Sequence, residues 1–85
     1  MGGEVKLACA WEPIDSFTSL AEYRRFQRWM DDQIASGVAS SVAVSKPYSG
    51  SELWDEHWYE CLEDHRVWRL VGPDPPFRGI FKLVG

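Results

Sequence analysis

Two histidines and two cysteines are the side chains best suited to chemistry in this chain of 85 residues. His57, Cys61 and His65 stand four residues apart. Imidazole nitrogen and thiolate sulfur are zinc ligands, and on a helix that spacing would stack all three on one face. The segment reads as strand and turn instead. There His57 and Cys61 share a face with well-separated Cβ atoms, and His65 lies beyond a bend. Cys9 is the one further donor a neighbouring strand can bring, and a structural zinc site needs four converging ligands. Cys61 with His57 or His65 also offers a nucleophile–base pair, but nothing is placed to orient the base and no oxyanion-hole loop follows. The expectation is therefore no catalytic residue, no metal and no cofactor. A small metal-dependent or thiol enzyme centred on these three residues is the alternative.

Other chemical signatures are missing. The serines of Ser40-Ser41 and Ser49-Gly50-Ser51 do not sit in a G-x-S-x-G elbow. Neither G-x-x-x-x-G-K-[ST] nor G-x-G-x-x-G occurs. The carboxylate pairs Asp31-Asp32, Asp55-Glu56 and Glu63-Asp64 are adjacent in sequence. Neighbours on a strand point to opposite faces, so these make poor acid–base dyads.

Charge is more informative. The net charge is −4, which argues against a general nucleic-acid binder. From Glu52 to Asp64 there are six acids (Glu52, Asp55, Glu56, Glu60, Glu63 and Asp64) and no Lys or Arg. Trp54, Trp58 and Tyr59 are interleaved with them. From Arg66 to Lys82 four basic residues face only Asp74. An acidic stretch carrying aromatics can steer and anchor a basic protein partner. The candidate partner-binding residues are Trp54, Glu56, Trp58, Tyr59, Glu60, Glu63 and Asp64. The plain alternative is a solvated strand face with the tryptophans in the core.

The elements that must position these residues follow from periodicity. Val5, Leu7 and Cys9 alternate within Glu4–Trp11, which predicts a first strand ended by Pro13. Ser19 and Glu22 form a capping box. Leu20, Tyr23, Phe26, Met30 and Ile34 then trace one apolar helical stripe, with Trp29 at its edge and Gly37 as the stop. Val38–Ser45, Trp54–Leu62, Arg66–Val71 and Ile80–Val84 read as strands, the middle two joined by a turn at Glu63-Asp64-His65. On Trp54–Leu62, Trp58, Glu60 and Leu62 share one face, and His57, Tyr59 and Cys61 the other. One helix cannot bury its own apolar face, so it must lie on the sheet. The expected fold is α+β: one helix packed on a mainly antiparallel sheet, in the order β-α-β-β-β-β, as a single domain spanning 1–85.

The run from Trp68 to Gly79 is the most distinctive. Gly72-Pro73-Asp74-Pro75-Pro76 stiffens a corner, because each proline fixes its own φ and restricts the residue before it. Asp74 has Arg69 and Arg78 as candidate partners. Phe77 can plug the end of the core, and Gly79 allows a close backbone approach. Trp68, Arg69, Pro73, Asp74, Phe77, Arg78 and Gly79 are thus expected to form a structural motif.

Trp58-Tyr59-x-Cys61 followed by Val67-Trp68-Arg69-Leu70-Val71-x-Pro73-Asp74-x-Pro76-Phe77-Arg78-Gly79 resembles a pattern in short, largely uncharacterised bacterial proteins. It is similar in style to the immunity proteins of polymorphic-toxin and contact-dependent-inhibition systems. The resemblance implies a cytosolic, non-catalytic protein that binds and blocks one cognate toxin, and it supplies no binding residues.

No apolar run approaches the roughly 18 residues that span a bilayer, and none makes a signal-peptide core. Cys9 and Cys61 read as buried thiols in a reducing cytosol, or as a single bridge between neighbouring strands. The expected placement is cytoplasmic, with a basic protein partner, no nucleic acid and no membrane. The expected state is a monomer or weak homodimer, and a structural homodimer joined through a sheet edge is a third reading.

Overall fold

The computed structural model describes Cys9 and residues 11–84. Its elements are one helix, α1 (Leu20–Ala35), and four strands, β1 (Ala39–Val42), β2 (Glu56–Cys61), β3 (Val67–Val71) and β4 (Ile80–Leu83). A short 3₁₀ turn spans Tyr48–Gly50.

Both ends of α1 follow from local chemistry. The Ser19 hydroxyl accepts the Glu22 amide at 3.1 Å, and the Glu22 carboxylate accepts the Thr18 amide at 2.7 Å. That is a capping box displaced by one residue on its return arm. At the other end Gly37 takes φ +81°. Its amide bonds the Ile34 carbonyl, and the Val38 amide bonds that of Gln33. These are the two bonds of a Schellman motif, and the left-handed residue they require is where glycine is least strained.

The strands form a meander in the spatial order β1-β2-β3-β4, every pair antiparallel. The shorter β2–β3 and β3–β4 connections favour antiparallel pairing, since a parallel pair needs a long crossover. The β2–β3 turn is closed by the His65 amide on the Cys61 carbonyl and by the Asp64 carboxylate accepting the Arg66 amide at 2.9 Å.

The fold is thus α+β, but the element order departs from expectation: α1 precedes all four strands. Most of the expected first strand, residues 4–8 and 10, lies outside the described residues. Its described members, Cys9 and Trp11, are not in a strand. Trp11 lies edge-on to Trp68 and Phe81, and its indole donates to Gln33 of α1. Among the described residues of this segment, Ile14 bridges Phe81 at the sheet edge. Cys9 and Trp11 are thus members of the core and, among the described residues, not of the ladder.

The core lies between α1 and one face of the sheet. It gathers Trp11, Phe17, Tyr23, Met30, Ala39, Tyr59, Cys61, Trp68, Leu70 and Phe81. Leu20, placed on the apolar stripe by its spacing, is 53% exposed at the first turn. Cys9 and Cys61 are joined as a disulfide across 52 residues, which ties the N-terminal segment to β2.

Candidate protein-binding face

The period of two divides β2 cleanly. Tyr59 and Cys61 enter the core beneath α1, and His57 touches Gln27 of that helix. Glu56, Trp58 and Glu60 point to the other face of the sheet, which α1 does not cover. Register adds Val42 opposite Trp58, Arg69 opposite Trp58, and Val67 opposite Glu60.

The half of this outer face toward the β2 start is closed. The Glu56 side chain is 5% exposed and accepts three donors. These are the Tyr48 amide at 2.8 Å, the Trp58 indole Nε1 at 2.7 Å and the Arg69 Nε at 2.8 Å. Arg69 also donates to the Lys46 carbonyl, and its guanidinium lies 5.5 Å from the Tyr48 ring centre and 5.6 Å from that of Trp58. Burial alone would raise the Glu56 pKa. The bonds from Tyr48, Trp58 and Arg69, with the guanidinium charge, outweigh it and hold the carboxyl below its ordinary value. Tyr48, Trp54 and Phe77 pack together beside this pair, with ring centres 4.7 to 5.8 Å apart.

This arrangement accounts for the distinctive motif. Arg69 pairs with Glu56, and Asp74 instead closes a tight turn through two backbone bonds with Phe77. Phe77 joins the outer aromatic cluster, not the end of the main core. A Cβ on Gly79 would sit 2.8 Å from the Val71 carbonyl oxygen, and its φ is +86°.

The half toward the β2–β3 turn is open. Val42, Trp58, Val67 and Val84 line a groove of about 510 Å³, with His65 and Arg66 at its end. Glu60 stands at this end and contacts His65 at 2.9 Å, while Asp64 lies 3.4 Å from Arg66. Glu63 is exposed and has no ion-pair partner among the described residues.

The seven candidate binding residues are therefore not one patch. Glu60, Glu63 and Asp64 cluster at the turn, and Trp58 lies 6% exposed beside the groove. Glu56 is held by Arg69, and Trp54 stands in the aromatic cluster with its indole nitrogen buried and unpartnered. Tyr59 is 4% exposed on the opposite face, where burial first and then the charges of Asp31 and Asp55 push its pKa up to about 12. The apolar floor supplied by Val42, Val67 and Val84 was not singled out by composition or motif. Its signal is the strand alternation, read together with a register that the sequence does not print.

The metal and nucleophile candidates are separated as well. His57 lies on the α1 side, hydrogen-bonded to Asp55 at 2.9 Å, and His65 lies past the turn on Glu60. The Cys61 sulfur is consumed in the disulfide, so it is neither thiolate ligand nor nucleophile. Among the described residues, no three His, Cys, Asp or Glu side chains are grouped to hold a metal ion. Tyr23 donates to Asp55 at 2.9 Å. Burial, then that bond and the Asp55 charge, drive its phenol far above the usual range, so it stays neutral.

Among the described residues no helix is long and apolar enough to cross a membrane. Comparison with protein-family models, curated proteins and solved structures gave no match to this chain.

Proposed function

We propose that this domain is a non-catalytic protein-binding module that holds a basic partner segment against the open half of its sheet, as an immunity-type inhibitor would. The observation that carries this reading is the groove over Val42, Trp58, Val67 and Val84, on a sheet face that no helix covers among the described residues. His65 and Arg66 line its end, Glu60 and Asp64 pair with them at 2.9 and 3.4 Å, and Glu63 is exposed on the same turn. Apolar floor and charged rim are the usual division of labour at an interface, with the rim setting on-rate and partner choice. The binding surface is thus narrower than the acidic run as a whole. Removal of the Cys61 thiol weighs against the enzyme reading.

The bridge also bears on where such a module works. Disulfides persist in oxidising compartments, so it pulls against the cytoplasmic placement. Thiol trapping of intact cells reports which state the cysteines hold.

Co-expression with the products of adjacent genes tests the proposal. A basic neighbour should be retained by the native chain, and lost when Glu63→Lys and Asp64→Lys are combined with Val42→Asp. Failure of every basic neighbour to bind, or equal retention by the triple variant, would remove the proposal.

A further inference from the structure

The two edges of the sheet differ in how they are closed. At β4, Ile14 and Phe81 exchange amide-to-carbonyl bonds, and Lys82 pairs with Asp15 at 3.0 Å. A covering segment and a charged side chain are both common guards of an edge strand. Apart from its shortness, β1 has no such guard among the described residues. The run Val38–Ser45 holds no charged residue and no proline, and β1 pairs with β2 without a bulge. The register also fixes which backbone groups face outward. The Leu62 amide bonds the Val38 carbonyl, so Val38, Ser40 and Val42 turn their amides and carbonyls toward β2. Those of Ala39 and Ser41 turn away from it. Neither of these two amides has a hydrogen-bond partner among the described residues, and Ser41 is exposed.

We propose that the outer edge of β1 receives an extended segment of the basic partner as a fifth, antiparallel strand, which rests on the binding reading given above and adds how the partner is held. A row of unpaired amides and carbonyls selects its own class of ligand, since another extended backbone matches their spacing. Side chains around the edge select the sequence. Alternation places Ser40 and Val42 on the outer face, beside Glu60 and Trp58 respectively. A residue of the added strand opposite Val42 extends the apolar floor of the groove. A residue opposite Ser40 lies two strand spacings, or ~9.6 Å, from the Glu60 backbone. The small Ser40 leaves room for a lysine or arginine to lean across it toward that carboxylate. Among the described residues Glu60 pairs with the largely exposed His65 ring, so it can share a second cation. Running antiparallel to β1, the matching segment reads apolar-x-basic.

A second copy of β1 does not meet this requirement. Val38–Ser45 has no Lys or Arg, so two β1 edges laid together bring Glu60 no cation. The net charge of −4 also favours a basic segment over another copy of the same chain.

The probe is the synthetic peptide Thr-Lys-Thr-Val-Thr-Lys-Thr-Val, added to the whole chain and followed by fluorescence anisotropy and amide exchange. It should bind at low salt, weaken at high salt, and slow exchange of the Ala39 and Ser41 amides. Glu60→Gln should flatten the salt dependence. Antiparallel pairing makes the threonine amides of the peptide the ones that face β1. N-methylation of the threonines should lower affinity by roughly tenfold or more, and N-methylation of the lysines and valines should leave it unchanged. Ser41→Pro removes an outward donor without touching the β1–β2 bonds, so it should weaken binding while circular dichroism stays native. A peptide that fails to bind overturns the inference, as does one that binds equally well with its threonines methylated. Slow exchange of the Ser41 amide in the peptide-free chain also overturns it, because the edge is then already taken. Self-association that Ser41→Pro abolishes overturns it too and gives the edge to a second copy. The same variant separates this inference from the groove. A basic neighbour retained equally by Ser41→Pro, but lost by the triple variant above, removes the added strand and leaves the groove standing. Peptide binding of the stated pattern with no neighbour retained upholds the edge and removes the neighbour as its occupant.

Discussion

At Glu56 three donors converge on one carboxylate that is almost out of water. Removing one partner of a closed ion pair costs far more than the pair contributes, because a desolvated charge is left behind. Arg69→Met should therefore destabilise the domain by about 3 kcal/mol in urea denaturation. Glu56→Gln combined with Arg69→Met should cost less than the sum of the two single changes, because the residues are coupled. The lowered Glu56 pKa fixes the sign of a pH dependence. A carboxyl more acidic in the native state contributes its stabilisation fully above the ordinary carboxylate range of ~4.3. That contribution is lost as pH falls through the depressed native value. Acid titration of the native chain should show this loss, and Glu56→Gln should flatten it. The acidic run announced six carboxylates to solvent, but only the fold shows that Glu56 is already occupied. Its partner Arg69 is thirteen residues away and meets it through the β2–β3 register.

The elements divide into those set by neighbours in sequence and those set by distant contacts. The caps of α1 and the alternation of β2 are short-range, since the groups concerned lie within a few residues of one another. They were legible for that reason. The places of Cys9 and Trp11 were not, because a period-2 pattern fits a strand residue and a core-filling residue outside the ladder equally well. Pairing partners decide between the two, and for Cys9 and Trp11 the partners are Cys61, Trp68 and Phe81. The corner before β4 belongs at this scale too. At Gly79 any Cβ meets the Val71 carbonyl, and the positive φ adds strain for an L side chain. Gly79→Ala should cost about 2 kcal/mol in thermal or urea unfolding. The loss should be accompanied by faster hydrogen exchange in β4.

Across the whole molecule, one bridge ties the N-terminal segment to the sheet. The Cys9–Cys61 link closes a loop of 52 residues. In the chain-entropy view such a loop restricts the unfolded ensemble by about 4 kcal/mol. Reduction, or Cys9→Ser with Cys61→Ser, should lower stability by a comparable amount. The loss should appear as a lower urea midpoint on addition of reductant to the native chain, and no further loss in the double-serine variant.

The sequence by itself determined the α+β class, the limits of α1, the hairpin turn at Asp64 and the separation of Tyr59 from Trp58 across β2. Each depends on backbone geometry, capping or alternation within a short window. Only the tertiary structure decided which acids remain free, which aromatics are walled in and that the cysteines are joined. Those outcomes depend on strand register and on how α1 is laid over the sheet, which bring together residues 13 to 52 positions apart. The acidic run is one feature in sequence and three in space: a closed ion pair, a shielded aromatic cluster and a small charged rim beside an open apolar groove.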